Sequence, residues 1–142
     1  MKNNQPVNSH EYVVRSDSSI ISRTDEKGLI TYVNDDFVEA SRFTRAEMIG
    51  EPHNMVRHPD MPPEAFRDMW ATLKQGKPWG GIVKNRRKDG GFYWVKAMAT
   101  PLSSGGYMSV RTAAGVPEMR AASALYEQMR RDPSLRLEQG SV

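Results

Sequence analysis

A ten-residue segment, from His53 to Pro62, concentrates side chains that can bind a ligand. It holds two histidines, an arginine, an aspartate and two prolines. Each proline removes a backbone donor and disfavours helix at the residue before it, so the backbone is stiff and irregular. This is typical of a binding loop, in which Arg57 and His58 suit a pyrophosphate and Asp60 accepts from a ribose hydroxyl or holds Arg57. The alternative is a surface turn with solvated charges.

An asparagine on the inward face of a predicted strand is the second chemical signal. Strand alternation over residues 79–87 places Asn85 on the same face as Trp79 and Val83. A buried amide must satisfy two donors and an acceptor, which favours a partner such as the imide edge of a flavin or another planar heterocycle. An asparagine bonded to nearby backbone is the alternative.

Small residues on the following strand predict space above the sheet. Ala97 and Ala99 share one face of the strand, and the two glycines after Trp79 also lack bulk. Together with Phe66 and Trp70 on a predicted helix, they indicate a slab-shaped pocket with aromatic walls, as a planar ligand needs. Alternatively, large helix side chains simply interdigitate with the small ones.

Other chemistry finds little support in the sequence. His53 and His58 are five residues apart with Asp60 nearby, but no second cluster completes a metal-coordination sphere. No nucleophile elbow, P-loop or G-x-G-x-x-G pattern occurs. The basic run at residues 84–88 is interpreted as a solvated strand edge, without the interleaved aromatic residues that nucleic-acid binding needs.

The composition bounds the class of protein. The chain has 142 residues, a net charge of +3 and no cysteine, so one domain is expected and disulfides, thiolate metal sites and cysteine chemistry are excluded. No run of about 18 apolar residues and no signal peptide is found. We therefore expect a cytoplasmic segment that does not itself insert into a membrane.

Hydrophobic periodicity and turn residues predict an α+β domain. A hairpin is followed by short helices, one longer helix and a three-stranded meander, and the inner face of the sheet needs the helices as cover. The predicted strands are residues 19–23, 29–33, 79–87, 92–102 and 107–112, and the predicted helices are residues 34–41, 44–50 and a longer one between Pro62 and Gly76.

The two ends are predicted to lie outside the domain of residues 19–112. Residues 1–18 are interpreted as a flexible lead-in whose end docks. Residues 113–142 form a linker and a connector helix from Glu118 to about Arg131, with an apolar stripe that packs on the domain, on a second copy or on a following segment. A signalling or dimerising connector and a simple cap on the domain are both open.

With its predicted strands and helices in this order, the sequence resembles the PAS domain family over residues 20–112. The resemblance implies a PAS fold, a five-stranded antiparallel sheet flanked by short helices. It rests on five motifs: ITYVNDDF at 30–37, GEPHNMVRHPDMP at 50–62, FRDMW at 66–70, GKPWGGIVKNRRKDG at 76–90 and YWV at 93–95.

Within this family the sequence is similar to the sensory domains of bacterial aerotaxis receptors. The similarity implies a non-covalent FAD, no enzymatic turnover, and reporting of redox state or oxygen to a chemotaxis signalling module. The FAD-linked positions of the family carry over onto Asn34, Arg57, His58, Asp60, Phe66, Trp79 and Asn85. The pocket argument alone adds His53 and Trp70.

The resemblance also sets expectations for partners and for signalling. It implies a downstream chemoreceptor signalling domain, and a homodimer is possible. Photosensory relatives form a cysteine–flavin adduct, which this chain cannot form without cysteine. Reduction of the flavin is expected to change the hydrogen bonds at Asn85, and the N-terminal segment or the connector helix passes on the change.

Three other functions stay open at this point. They are a small flavoprotein oxidoreductase, a PAS module that binds haem through His53 or His58, and a PAS module that serves only for dimerisation.

Overall fold

Residues 7–137 are described by the computed structural model, and a five-stranded antiparallel sheet forms the centre of the fold. The strands are β1 (Ile20–Thr24), β2 (Ile30–Val33), β3 (Trp79–Arg86), β4 (Phe92–Pro101) and β5 (Tyr107–Ala113). Their order in the sheet is β2-β1-β5-β4-β3, so the predicted hairpin and the predicted meander join where β1 pairs with β5. The predicted fold class is confirmed.

The helices lie between β2 and β3, except for one that follows β5. A single 3-10 turn forms inside the segment that was expected to be irregular. The helical elements are α1 (Asp35–Ser41), α2 (Arg45–Met48), the 3-10 turn (His53–Val56), α3 (Pro63–Lys74) and α4 (Val116–Arg131).

Local signals in the sequence fix where the short helices begin. The Asn34 side chain accepts a hydrogen bond from the Phe37 amide, which caps α1. Thr44 and Glu47 form the predicted capping box at the start of α2, with bonds of 3.1 and 2.9 Å. Both helices cover the inner face of the sheet, where Phe37 and Met48 are fully buried.

The segment before β1 contacts the β3–β4 hairpin. The Asn8 amide donates to the Gly90 carbonyl at 2.8 Å, and the Tyr12 amide donates to the Phe92 carbonyl at the same distance. The Tyr12 ring lies 4.4 Å from the Arg87 guanidinium. The predicted lead-in is therefore attached to the domain from Asn8 onwards, while residues 1–6 lie outside the described residues.

Helix α4 packs on the outer face of the sheet, one of the three positions left open by the sequence. Ala122, Tyr126 and Met129 are buried there. The Tyr126 hydroxyl donates to the Ile82 carbonyl of β3 at 2.5 Å, and burial raises the pKa of that hydroxyl. Within residues 7–137, no helix is long and apolar enough to cross a membrane.

Candidate ligand-binding site

A cavity of about 250 Å³ lies between α3 and the inner face of the sheet. This volume is close to the lower end of the range for small-molecule pockets, about 300 Å³, and suits a ring system rather than a whole dinucleotide. Two exposed residues, Lys27 and Pro52, lie at its rim. A longer ligand therefore has a route to solvent past the β1–β2 turn.

A mismatch in side-chain size creates the cavity. Helix α3 presents its apolar stripe to the sheet, and Phe66, Met69 and Trp70 of this stripe are only half-buried. The sheet opposes them with a row of small residues, because Ser22, Ser109 and Ala99 are neighbours in the register with Ala97 close by. These side chains are too short to fill the space beneath bulky helix residues.

Trp79 forms one wall of the cavity, and a hydrogen bond to α3 fixes its position. Its indole Nε1 donates to Asp68 Oδ2 at 2.8 Å, and both side chains are buried. The ring lies over Gly81, where an added Cβ would come within 2.5 Å of it. Gly81 therefore makes room for Trp79 and not for a ligand, while Gly80 faces Met98 on the outer side. The prediction that both glycines open the pocket is wrong.

Asn85 and Arg57 reach the cavity side by side. Asn85 is 4% exposed, and the backbones of the two residues form an antiparallel bridge. The Arg57 guanidinium stacks 3.7 Å from the centre of the Phe66 ring. An amide, a cation and an aromatic ring are thus neighbours in a largely apolar cavity.

A histidine and an arginine also line the cavity. Arg111 of β5 donates to His53 Nε2 and to Ser22 Oγ, both at 2.7 Å. Since arginine can only donate, Nε2 must be the acceptor nitrogen of a neutral imidazole. Burial and the positive charge of Arg111 lower the pKa of His53 to about 3.

Six of the nine residues predicted to bind a cofactor line this cavity, namely His53, Arg57, Phe66, Trp70, Trp79 and Asn85. Asn34, His58 and Asp60 do not. Asn34 Oδ1 accepts from the Phe37 and Ile21 amides, and its Nδ2 donates to the Ser19 carbonyl at 2.7 Å. Asn34 thus ties α1 to β1, and its assignment to a cofactor stays a prediction.

His58 and Asp60 lie on the side of the loop that faces α4. His58 is 3% exposed, and its Nδ1 accepts from the Asp60 amide at 3.0 Å. Asp60 Oδ2 accepts from Lys84 Nζ at 2.9 Å, and its carbonyl accepts from Arg130 of α4. Burial and the charge of Lys84 lower the pKa of His58 to about 4.

The cavity also contains residues that the sequence reasoning missed. Arg111 is the most important, because it is a charged residue on an inward-facing strand position. The alternation of Tyr107, Ser109 and Arg111 along β5 is the signal that could have found it. Lys27 lies in a turn and carried no such signal.

The histidines fit a metal or haem site poorly. His53 Nε2 is already bonded to the Arg111 guanidinium, and His58 does not line the cavity. In the part of the chain that the structure describes, no three His, Cys, Asp or Glu side chains converge as metal ligands.

A five-stranded antiparallel sheet, with α1 to α3 over its inner face and a cavity beneath α3, defines an α+β domain with a ligand-sized pocket. The sequence matches the PAS fold family over residues 30–112, and the chain belongs to that family.

Two bacterial relatives share more than the fold. The chain is 50% identical to the aerotaxis receptor of Escherichia coli (strain K12), over 87% of this chain and 26% of the receptor. It is 33% identical to the nitrogen fixation regulatory protein of Klebsiella pneumoniae, over 63% of this chain and 18% of that protein. The chain thus spans about a quarter or less of the length of these relatives.

Solved structures show the same fold at lower identity. A PAS domain from Colwellia psychrerythraea has a TM-score of 0.61 at 22% identity and covers 68% of this chain and 86% of its own. A light-oxygen-voltage domain studied with a flavin analogue has a TM-score of 0.63 at 21% identity and covers 78% and 86%.

Replacement of Asn34 by alanine should lower the free energy of unfolding by about 2 kcal/mol, since it removes a helix cap and two other hydrogen bonds. Asn34→Asp keeps the acceptor and should lose about 1 kcal/mol. Urea denaturation measures both. An unchanged midpoint for Asn34→Ala, combined with lost ligand binding, would instead make Asn34 a ligand contact.

Acidification should destabilise the protein through His53. The pKa of His53 is about 3 in the folded state and about 6.5 when unfolded, so the unfolded chain binds the proton first and stability falls as pH drops below 6.5. Urea midpoints from pH 7 to pH 4 measure this fall. His53→Gln, which keeps an acceptor, should make the fall shallower, whereas His10→Gln on the surface should not. Identical profiles for His53→Gln and wild type would contradict this origin.

Proposed function

We propose that the chain is the sensory domain of a receptor that binds FAD non-covalently. In this proposal it reports cellular redox state or oxygen, through the flavin, to a chemotaxis signalling module. The observation that supports the proposal most directly is the cavity, where half-buried aromatic residues of α3 lie opposite small residues of the sheet. The similarity to an aerotaxis receptor at 50% identity supports the assignment to this kind of receptor.

The residues present fit a flavin. Phe66, Trp70 and Trp79 supply aromatic walls for a planar ring system, and the buried amide of Asn85 supplies the donors and the acceptor that an imide edge requires. Arg57 and the rim residue Lys27 supply positive charge for a pyrophosphate. The flavin, when bound, supplies reversible electron transfer.

We propose that α4 transmits the redox signal from the ligand to the signalling module. Asn85 faces the cavity, and its neighbour Lys84 donates a hydrogen bond to Asp60. Asp60 lies three residues after Arg57, which also lines the cavity. Asp60 in turn accepts from Arg130 of α4 through its carbonyl. A change in the hydrogen bonds at Arg57 or Asn85 therefore has a short path to α4 along the loop backbone and through the hydrogen bonds of Asp60.

The absorption spectrum of the purified protein, with mass spectrometry of the released ligand, tests the proposal. Flavin bands and the mass of FAD are expected. A haem spectrum, or a protein without any chromophore after incubation with FAD, would overturn it. Steady oxidation of NADH by the protein would replace it with an oxidoreductase.

Asn85→Leu should weaken FAD binding at least about tenfold, because a similar volume is kept while a buried hydrogen-bonding group worth about 1–3 kcal/mol is lost. Titration of the apoprotein with FAD, followed by flavin fluorescence, measures the change. Asn8→Leu, at an exposed position away from the cavity, is the control and should bind as wild type. Equal affinity of Asn85→Leu and wild type would remove Asn85 from the site.

Arg130→Leu should preserve FAD binding and abolish the redox response of α4. Hydrogen exchange of oxidised and dithionite-reduced protein measures the response as a difference in amide protection across residues 116–131. Arg131→Leu is the matched control, since Arg131 bonds only Glu127 of its own helix among the described contacts. A redox difference that persists in Arg130→Leu would rule out this route.

A further inference from the structure

Arg111 is a buried cation whose position is fixed by the sheet. It lies on the inner face of β5, between Ile20 of β1 and Ala97 of β4 in the register. Its side chain is 2% exposed and lines the cavity. Its small neighbour Ala97 leaves the guanidinium accessible to a ligand in the cavity rather than to bulk water.

The partners of Arg111 are all neutral. Its guanidinium donates to the Ile20 carbonyl at 3.2 Å, in addition to the bonds to Ser22 and His53, and it lies 4.7 Å from the Phe37 ring. Among residues 7–137, no carboxylate forms an ion pair with it. The protein therefore solvates this charge without neutralising it.

The charge itself persists at neutral pH. Burial lowers the pKa of Arg111 only to about 10, well above 7. Two titratable groups face it, and neither is charged near neutrality: burial lowers the pKa of His53 to about 3 and raises the pKa of Tyr93 to about 12. An uncompensated buried charge is destabilising, and a negative charge beside it relieves that destabilisation.

We propose that Arg111 is the counter-ion of the ligand in the cavity and that it selects a planar ligand which acquires negative charge. This inference rests on the proposed flavin. Arg111 then favours the reduced, anionic ligand over the oxidised, neutral one. His53 acts as a positioning residue, because its neutral acceptor nitrogen holds the guanidinium in place.

The proton balance follows from this role. Reduction takes two electrons from a chemical or cellular reductant and one proton from solvent, so that one negative charge stays on the ring system beside Arg111. Without the cation, a second proton must accompany the two electrons to leave the ring neutral. Arg111 therefore sets how many protons the ligand takes up.

The test measures the reduction potential of the FAD-loaded protein against a reference dye, with dithionite as reductant, from pH 6 to pH 8. Wild type should change by about 30 mV per tenfold change in proton concentration, the value for one proton with two electrons. Arg111→Gln should bind the reduced form at least tenfold less tightly relative to the oxidised form, which lowers its potential by about 30 mV or more and doubles its pH slope.

Two further variants separate charge from structure. Arg111→Lys keeps the charge and should keep the slope of wild type. Arg23→Gln removes an exposed arginine from the outer face of neighbouring β1 and should leave potential and slope unchanged.

The outcomes distinguish the two proposals. Wild type that takes up no flavin overturns the proposed function and this inference together. Wild type that binds flavin with a two-proton slope, or Arg111→Gln with the potential and slope of wild type, overturns the role of Arg111 alone. If Arg111→Gln fails to bind flavin, the slopes of wild type and Arg111→Lys decide.

Discussion

The distance between α3 and the sheet is the constraint on which the site depends. The hydrogen bond from Trp79 to Asp68 ties the middle of α3 to the start of β3, and Gly81 gives the indole the room it needs. With this spacing fixed, Ala99 and Ser109 cannot reach the helix. A domain with larger residues at these two positions would close the space with its own core and keep the same fold.

The polar groups of the cavity are held by different elements. Asn85 of β3 and Arg57 of the loop are joined through their backbones. Arg111 and Ser22 are fixed by strands, and Arg111 donates to His53 of the 3-10 turn. A ligand in the cavity therefore contacts both the sheet and the loop that is bonded to α4 through Asp60. A change in the ligand can thus act on both of these elements.

The fold could be predicted from the sequence because its signals are local. Asn34 and Thr44 cap helices through bonds to residues three positions away, and the stripe of α3 repeats with helical spacing. The cavity-facing role of Phe66, Trp79 and Asn85 also followed from strand and helix periodicity. The alternation along β5 could have placed Arg111 on the inner face, but its hydrogen-bond partners depend on which strands are neighbours. The orientation of His58 depends on where α4 packs. These two features are not encoded by spacing along the chain.

The segment before β1 and helix α4 are both attached to the same pair of strands. The segment around Tyr12 pairs with Phe92 at the start of β4, and Tyr126 of α4 bonds the backbone of β3. A force applied to either segment is thus transmitted to one hairpin, whose two strands also carry Asn85 and Ala97 of the cavity.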